Sequence, residues 1–213
     1  LYGLISGVVL GAFLHMTIQI IFVYKHGIFP KFRFNIDWLS IRNVFLTSLP
    51  RTLALSSNEL ASFFLIALAS LMASGSVSVL SLAVNLQAVP LTIIGVSYSS
   101  AIFPTLSKLF VSKERDVFLM KMIESAKHII FWSIPITVLF IVLRAQIVRV
   151  IYGAGEFDWA DTRLTAAVLA LFIISVVGQS LILLFIRTYY AQGKTLKPLI
   201  INISSSIVII ILG

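Results

Sequence analysis

The chain has no cysteine, which excludes disulfides, thiolate chemistry and Cys-ligated metals. It is also poor in charge: Asp, Glu, Lys and Arg make up 11% of 213 residues, against about 25% in a soluble domain. Only eight residues are acidic, and Glu156, Asp158 and Asp161 are the one local cluster of three. A membrane enzyme such as a polyprenyl-phosphate transferase would need clustered acids for a metal or a general base. Asp158 and Asp161 are better explained as caps of a following helix. No catalytic residue, metal site or cofactor is expected.

What the chain has instead is apolar length. Hydrophobic residues make up 59%, and the mean hydropathy is +1.06. Six apolar runs occupy 1–24, 51–73, 77–103, 128–150, 162–186 and 199–213. About 20 residues rising ~1.5 Å each cross a hydrocarbon core of ~30 Å, and most of the runs are long enough. Runs without period-two alternation can satisfy their backbone groups in lipid only as helices. The expected fold class is all-α, a polytopic bundle of about six transmembrane helices.

Thirteen of the sixteen Lys and Arg residues fall in alternate gaps between these runs. Lys25, Lys31, Arg33, Arg42 and Arg51 lie in or at the end of the first gap, and the short gap 74–76 has none. Lys108, Lys113, Arg115, Lys121 and Lys127 crowd the third gap, and Arg187, Lys194 and Lys197 mark the fifth. The excess of cationic loops places the first, third and fifth gaps in the cytoplasm, with Leu1 outside. The net charge of +8 is then explained by loops facing anionic lipid, and no nucleic-acid partner is expected. The chain starts within one apolar run and stops within another, so we expect an internal fragment of a longer transporter-like protein, with no targeting peptide.

Polar residues inside the runs are the candidate functional groups. In the first run Gly3, Gly7 and Gly11 form a small-residue ridge, and His15 and Gln19 continue it with the side chains expected for interhelical hydrogen bonds. Residues 25–50 mix aromatic and basic side chains, as an interfacial cytoplasmic linker would, and Pro50 is expected to break or kink the start of the second helix. Arg51 follows at the interface, and Asn58 and Glu59 lie about two turns deeper, where an acid is a functional-site candidate. Asn85, Gln87 and Pro90 sit near the middle of the third run, where the proline frees a carbonyl against a cavity. Glu59 and Asn85 are expected to share a polar site on antiparallel neighbours. Residues 104–127 read as an amphipathic connector along the membrane surface, and Pro135 as a bend in the fourth helix. Gly153 and Gly155 mark an external turn before the fifth helix.

Several patches together resemble the MurJ/MviN family of lipid II flippases. They are Leu49-Pro50-Arg51-Thr52-Leu53, Ala73-Ser74-Gly75-Ser76-Val77, Val89-Pro90-Leu91 and Phe103-Pro104-Thr105-Leu106-Ser107. Tyr152-Gly153 with Gly155, Phe157, Asp158, Asp161 and Thr162 follows, then Arg187, Tyr190-Ala191, Thr195 and Pro198. The resemblance implies a two-lobe exporter-type transporter of the bacterial cytoplasmic membrane. Such a transporter moves an undecaprenyl-pyrophosphate-linked cell-wall precursor outward by alternating access, coupled to a monovalent ion gradient or the membrane potential. Residues 1–24 would be the last helix of the first lobe and 51–213 a second lobe truncated at its C-terminus. The implied cavity residues are Arg51, Asn58, Glu59, Asn85 and Gln87, and Pro50, Pro90, Gly153 and Gly155 the helix-break or gating positions. Implied partners are the lipid-linked precursor, membrane lipids and cell-wall synthesis proteins. Two departures stand out: Asn85 occupies a position where the family commonly has Arg, and Glu59 one where it often has Gln. Both make this side of the cavity less positive, and they keep open a flippase for another polyprenyl-linked glycan, a drug/cation antiporter, or a non-transporting scaffold.

Overall fold

A computed structural model describes residues 2–25, 27, 37–155 and 157–212. Among them are eight α-helices and no strand: α1 (Tyr2–Lys25), α2 (Trp38–Ser70), α3 (Ser76–Pro90), α4 (Ser97–Val111), α5 (Arg115–Val142), α6 (Arg144–Tyr152), α7 (Trp159–Ala191) and α8 (Leu196–Leu212). A π-helical turn, Leu91–Val96, joins α3 to α4. Five stretches are long and apolar enough to cross a membrane, namely Ile5–Lys25, Ile41–Ser70, Ser76–Val111, Arg115–Val142 and Trp159–Ala191, and Leu196–Ile211 is a shorter apolar helix. The chain is a multi-pass membrane protein with an all-α transmembrane bundle.

The chain divides into two compact units, Leu1–Asn43 and Val44–Gly213. In the first, α1 satisfies its polar side chains along its own length, as an apolar medium demands. Ser6 donates to the Gly3 carbonyl at 3.0 Å, and Thr17 to that of Phe13 at 2.8 Å. Gln19 Nε2 lies 3.3 Å from His15 Nε2, so these two side chains pair along the helix.

The expected linker 25–50 is helical from Trp38 onward, and α2 runs through Pro50 without ending there. Asp37 starts the helix by accepting the Leu39 N–H at 3.1 Å. Proline removes one backbone donor, and the remaining hydrogen bonds on both sides hold the helix together. Residues 28–36 lie outside the described part.

Two helix ends also fall elsewhere than expected. The surface connector expected over 104–127 does not form, because α4 continues through Pro104 to Val111 and α5 starts at Arg115. The chain reverses in three residues. Leu106 and Phe118 are buried, and the Phe110 and Phe118 rings pack 6.4 Å apart, so apolar packing recruits this charged stretch into two helix ends. The helix expected over 128–150 is therefore shifted: α5 stops at Val142, and α6 is a separate short helix. Pro135 lies inside α5.

In the second unit α7 is the central post. Its buried side chains, Thr162, Thr165, Ala166, Leu169, Ile173, Val176, Ser180, Leu184 and Thr188, recur every three or four residues and form one stripe. α3, the π turn, α4, α5 and α6 all pack on it. Toward one end Leu169 and Ala166 meet Ala83 and Leu86 of α3 and Val148 of α6. Toward the other, Leu184 meets Ile94 of the π turn and Ile129 of α5. The outer surface is apolar, with Leu171 and Phe131 among many exposed side chains. Lipid tails are as apolar as leucine, so shape complementarity and close van der Waals contact hold such helices together.

Gly95 lies close against α7. A Cβ built there would lie 2.8 Å from Ser180 Oγ and 3.0 Å from Ser180 Cα. The hydroxyl could rotate away, but the α7 backbone could not. Gly95→Ala is expected to destabilise the intact protein by about 1–3 kcal/mol, the usual cost of overpacking. Thermal unfolding in detergent checks this, and adding Ser180→Gly should recover part of the loss.

Candidate functional site

The polar residues of α3 divide between two faces. Residues two apart on an α-helix are separated by about 200°, so Asn85 and Gln87 point in nearly opposite directions. Gln87 is 5% exposed and turned toward α7, where its Nε2 donates to Ser175 Oγ at 2.9 Å. Ser175 also accepts from Gln179 Nε2 at 2.7 Å and donates to the Phe172 carbonyl at 2.6 Å. The result is a satisfied polar tie between α3 and α7. Ser175 and Gln179, four residues apart on the fifth apolar run, were its signal in the sequence.

Asn85 is exposed, and Ser78, Ser81 and Thr92 are exposed with it. Offsets of −7 and −4 residues put Ser78 and Ser81 within about 40° of Asn85 on an ideal helix, and Thr92 follows in the π turn. None of these four side chains donates to or accepts from a protein group among the described residues. A stripe of unpaired hydroxyl and amide groups is costly against lipid, which makes it a candidate contact for water, a polar ligand or another helix. Ser81 and Thr92 were legible as i−4 and i+7 neighbours of Asn85, a pattern hidden by the more conspicuous Gln87.

Pro90 closes α3, and the π turn follows directly. The Leu91 N–H reaches the carbonyls of Gln87 and Ala88, and the Ser97 N–H and hydroxyl both reach the Thr92 carbonyl five residues back. Proline thus widens the helix where the sequence suggests a break, and its irregular backbone lies next to the Asn85 stripe. Such π turns often occur at functional sites.

On α2, Glu59 is exposed and has no polar partner among the described residues. The side chains of Arg51 and Asn58 lie outside the described part. The shared site expected for Glu59 and Asn85 does not form, since α2 has no extended packing against α3 among the described residues. The stretch between them is five residues, with Gly75 in a left-handed conformation at φ 91, which is long enough for two helices to part. The described part of α2 is tied instead to α8: Asn202, buried with Pro198 and Ser206, donates to the Ala54 carbonyl at 3.4 Å.

The turn carrying Gly153 and Gly155 is stitched to its surroundings. A Cβ on Gly153 would collide with the Arg149 carbonyl, and Gly155 sits at φ 72. Arg149 donates to the Phe157 carbonyl at 3.1 Å, and its guanidinium lies 5.9 Å from the Trp159 ring centroid. Asp158 caps α7 by accepting the Asp161 N–H at 2.8 Å, and Asp161 accepts the Asp158 N–H at 3.3 Å. Tyr152 ties this end to α3 by donating to the Leu82 carbonyl at 3.4 Å.

The family profile described as "Lipid II flippase MurJ" matches residues 1–213. Among curated relatives, a "Probable lipid II flippase MurJ" of Helicobacter pylori is 27% identical over 184 residues, covering 86% of this chain and 40% of the relative. Proteins of the same name from Rickettsia prowazekii (27% identity, 94% of this chain, 39% of the relative) and Treponema pallidum (26%, 97%, 40%) are similar to it. The chain thus spans about two fifths of the length of these relatives. No solved structure matches it.

Gln87→Leu should weaken the α3–α7 tie and lower stability by about 0.6–1.7 kcal/mol, the range for interhelical hydrogen bonds in membranes. Thermal unfolding checks the loss. If Gln87 holds α3 against α7, Ser175→Ala should cost about the same, and the double variant should cost less than the sum.

Proposed function

Because the chain belongs to the lipid II flippase MurJ family, whose profile spans residues 1–213, we propose that it forms part of a flippase in the bacterial cytoplasmic membrane. Its cargo is an undecaprenyl-pyrophosphate-linked peptidoglycan precursor, moved from the inner to the outer leaflet by alternating access. The match over the whole chain carries this reading. In it, α1 is the last helix of a first lobe, residues 25–50 are a cytoplasmic linker, and residues 51–213 belong to the second lobe.

The exposed stripe of α3 is then the second lobe's contribution to the cavity. Asn85, with Ser78, Ser81 and Thr92, offers neutral hydrogen-bond donors to a pyrophosphate headgroup while the polyprenyl tail stays in lipid. Asn85 supplies no charge, so cationic neutralisation falls to Arg51 and to the first lobe. Gln87 serves the same surface by fixing α3 on α7. Glu59, with Asn58 beside it, is the candidate for coupling to a monovalent ion gradient or the membrane potential. Pro50, Pro90, Gly153 and Gly155 are the positions where lobe rocking is absorbed. No covalent bond changes in this account, and the enzymes that make and polymerise the precursor are the partners it implies.

Expression of the intact protein in cells depleted of their own lipid II flippase is expected to restore growth. Correct membrane insertion without rescue would contradict the assigned cargo. In a reconstituted leaflet assay Glu59→Gln should slow flipping severalfold, and an unchanged rate would remove Glu59 from the coupling step. Asn85→Arg should tighten binding of the lipid pyrophosphate by about tenfold, since hydrogen bonds to charged groups contribute about 1.5–3 kcal/mol. Unchanged affinity would mean that this face does not meet the headgroup.

A further inference from the structure

The turn between α4 and α5 contains a feature that transport leaves unused. α4 ends in a Schellman closure: the Glu114 N–H donates to the Leu109 carbonyl at 3.1 Å, and the Lys113 N–H to that of Phe110 at 3.2 Å. This closure puts one residue in the left-handed region, where glycine is favoured. Here it is Lys113, at φ 59 the only non-glycine residue with positive φ among those described. Backbone strain that glycine would relieve points to a use for the side chain.

Lys113 stands on the rim of a cleft of about 720 Å³. Arg115 shares that rim, and Lys194 joins it from the α7–α8 turn, so two chain reversals bring three cations together. The floor is apolar and includes Phe110, Phe118 and Leu119. Gln192 lines both this cleft and a second, apolar trough of about 400 Å³ walled by Met122, Phe185 and Ile201. Lys121–Glu124 is the one ion pair among the described residues, so none of the three rim cations has a carboxylate partner there. Their loops are the basic ones that charge bias assigns to the cytoplasmic side.

We propose that this cleft binds an anionic phospholipid of the cytoplasmic leaflet. Its phosphate would lie among Lys113, Arg115 and Lys194, and an acyl chain would run into the trough past Gln192. The charge selects an anion, and the apolar floor selects a lipid over a soluble phosphate or an acidic peptide. None of these residues belongs to the Asn85 stripe, so the site is separate from the proposed path of the cargo.

The test uses the intact protein, delipidated in neutral detergent, with fluorescent phosphatidylglycerol as the probe and phosphatidylcholine and inorganic phosphate as competitors. Phosphatidylglycerol should bind in preference to phosphatidylcholine. Lys113→Gly, Arg115→Gln and Lys194→Gln should each lower its affinity about fivefold, the usual contribution of one cation near an anionic surface. Lys108→Gln, which removes a charge from α4 outside the cleft, should not. Lys113→Gly should also raise the unfolding temperature, because glycine relieves the left-handed backbone, so its loss of binding cannot come from misfolding. Equal binding of both lipids, rim variants no weaker than Lys108→Gln, or displacement by phosphate as effective as by lipid would each overturn the proposal.

Discussion

In hydrocarbon a helix gains little by hiding leucine from its surroundings, so the bundle depends on how closely other helices fit one face of α7. That face is a stripe from Thr162 to Thr188 in which hydroxyl-bearing and branched residues alternate with alanine and leucine. At Gly95 and Ser180 it admits backbone almost against backbone. Ser175 on the same helix accepts the amide of Gln87. Once these contacts are made, α3, the π turn, α5 and α6 have fixed faces toward α7, and the remaining faces turn outward.

What turns outward on α3 is the part on which the proposed function draws. Holding Gln87 inward leaves Asn85, Ser81 and Thr92 on the open side of an otherwise apolar rod. Pro90 and the π turn loosen the backbone beside them without ending the rod. A transporter has reason to combine a rigid helix with a locally irregular backbone against a polar path. The turn holding Gly153 and Gly155 is built differently, with its carbonyls and rings bound by Arg149, Tyr152 and the Asp158 cap.

Much of the fold was legible because lipid imposes simple rules. Apolar length marked the spans, and charge bias marked their sides. Boundaries were harder where charge and packing disagree: the lysines of 104–127 read as surface, yet Leu106 and Phe118 draw that stretch into α4 and α5. Pro50 was read as a break or kink, but a helix in lipid has nowhere else to satisfy its carbonyls and α2 continues past it, whereas Pro90, read as freeing a carbonyl, does stand where α3 gives way to the π turn. The site was half legible. Asn85 and Gln87 were noticed for their chemistry, although their two-residue spacing already placed them on opposite faces. The separation of Glu59 from Asn85 could not be read, because a short turn limits how far helix ends part, not how far the helices diverge. The left-handed Lys113 left no signal, since lysine is ordinary in a cationic loop.

The proposed transport path requires Asn85 to face a polar route and not lipid, and the absence of cysteine from these 213 residues lets thiols placed among them report on it. Single cysteines at Asn85, Ser81, the buried Gln87 and the exposed apolar Leu171 can be treated in intact membranes with a charged, thiol-specific reagent. Labelling at 85 and 81, with 87 and 171 unreactive, is the predicted result. An Asn85→Cys variant as unreactive as Leu171→Cys would contradict the account.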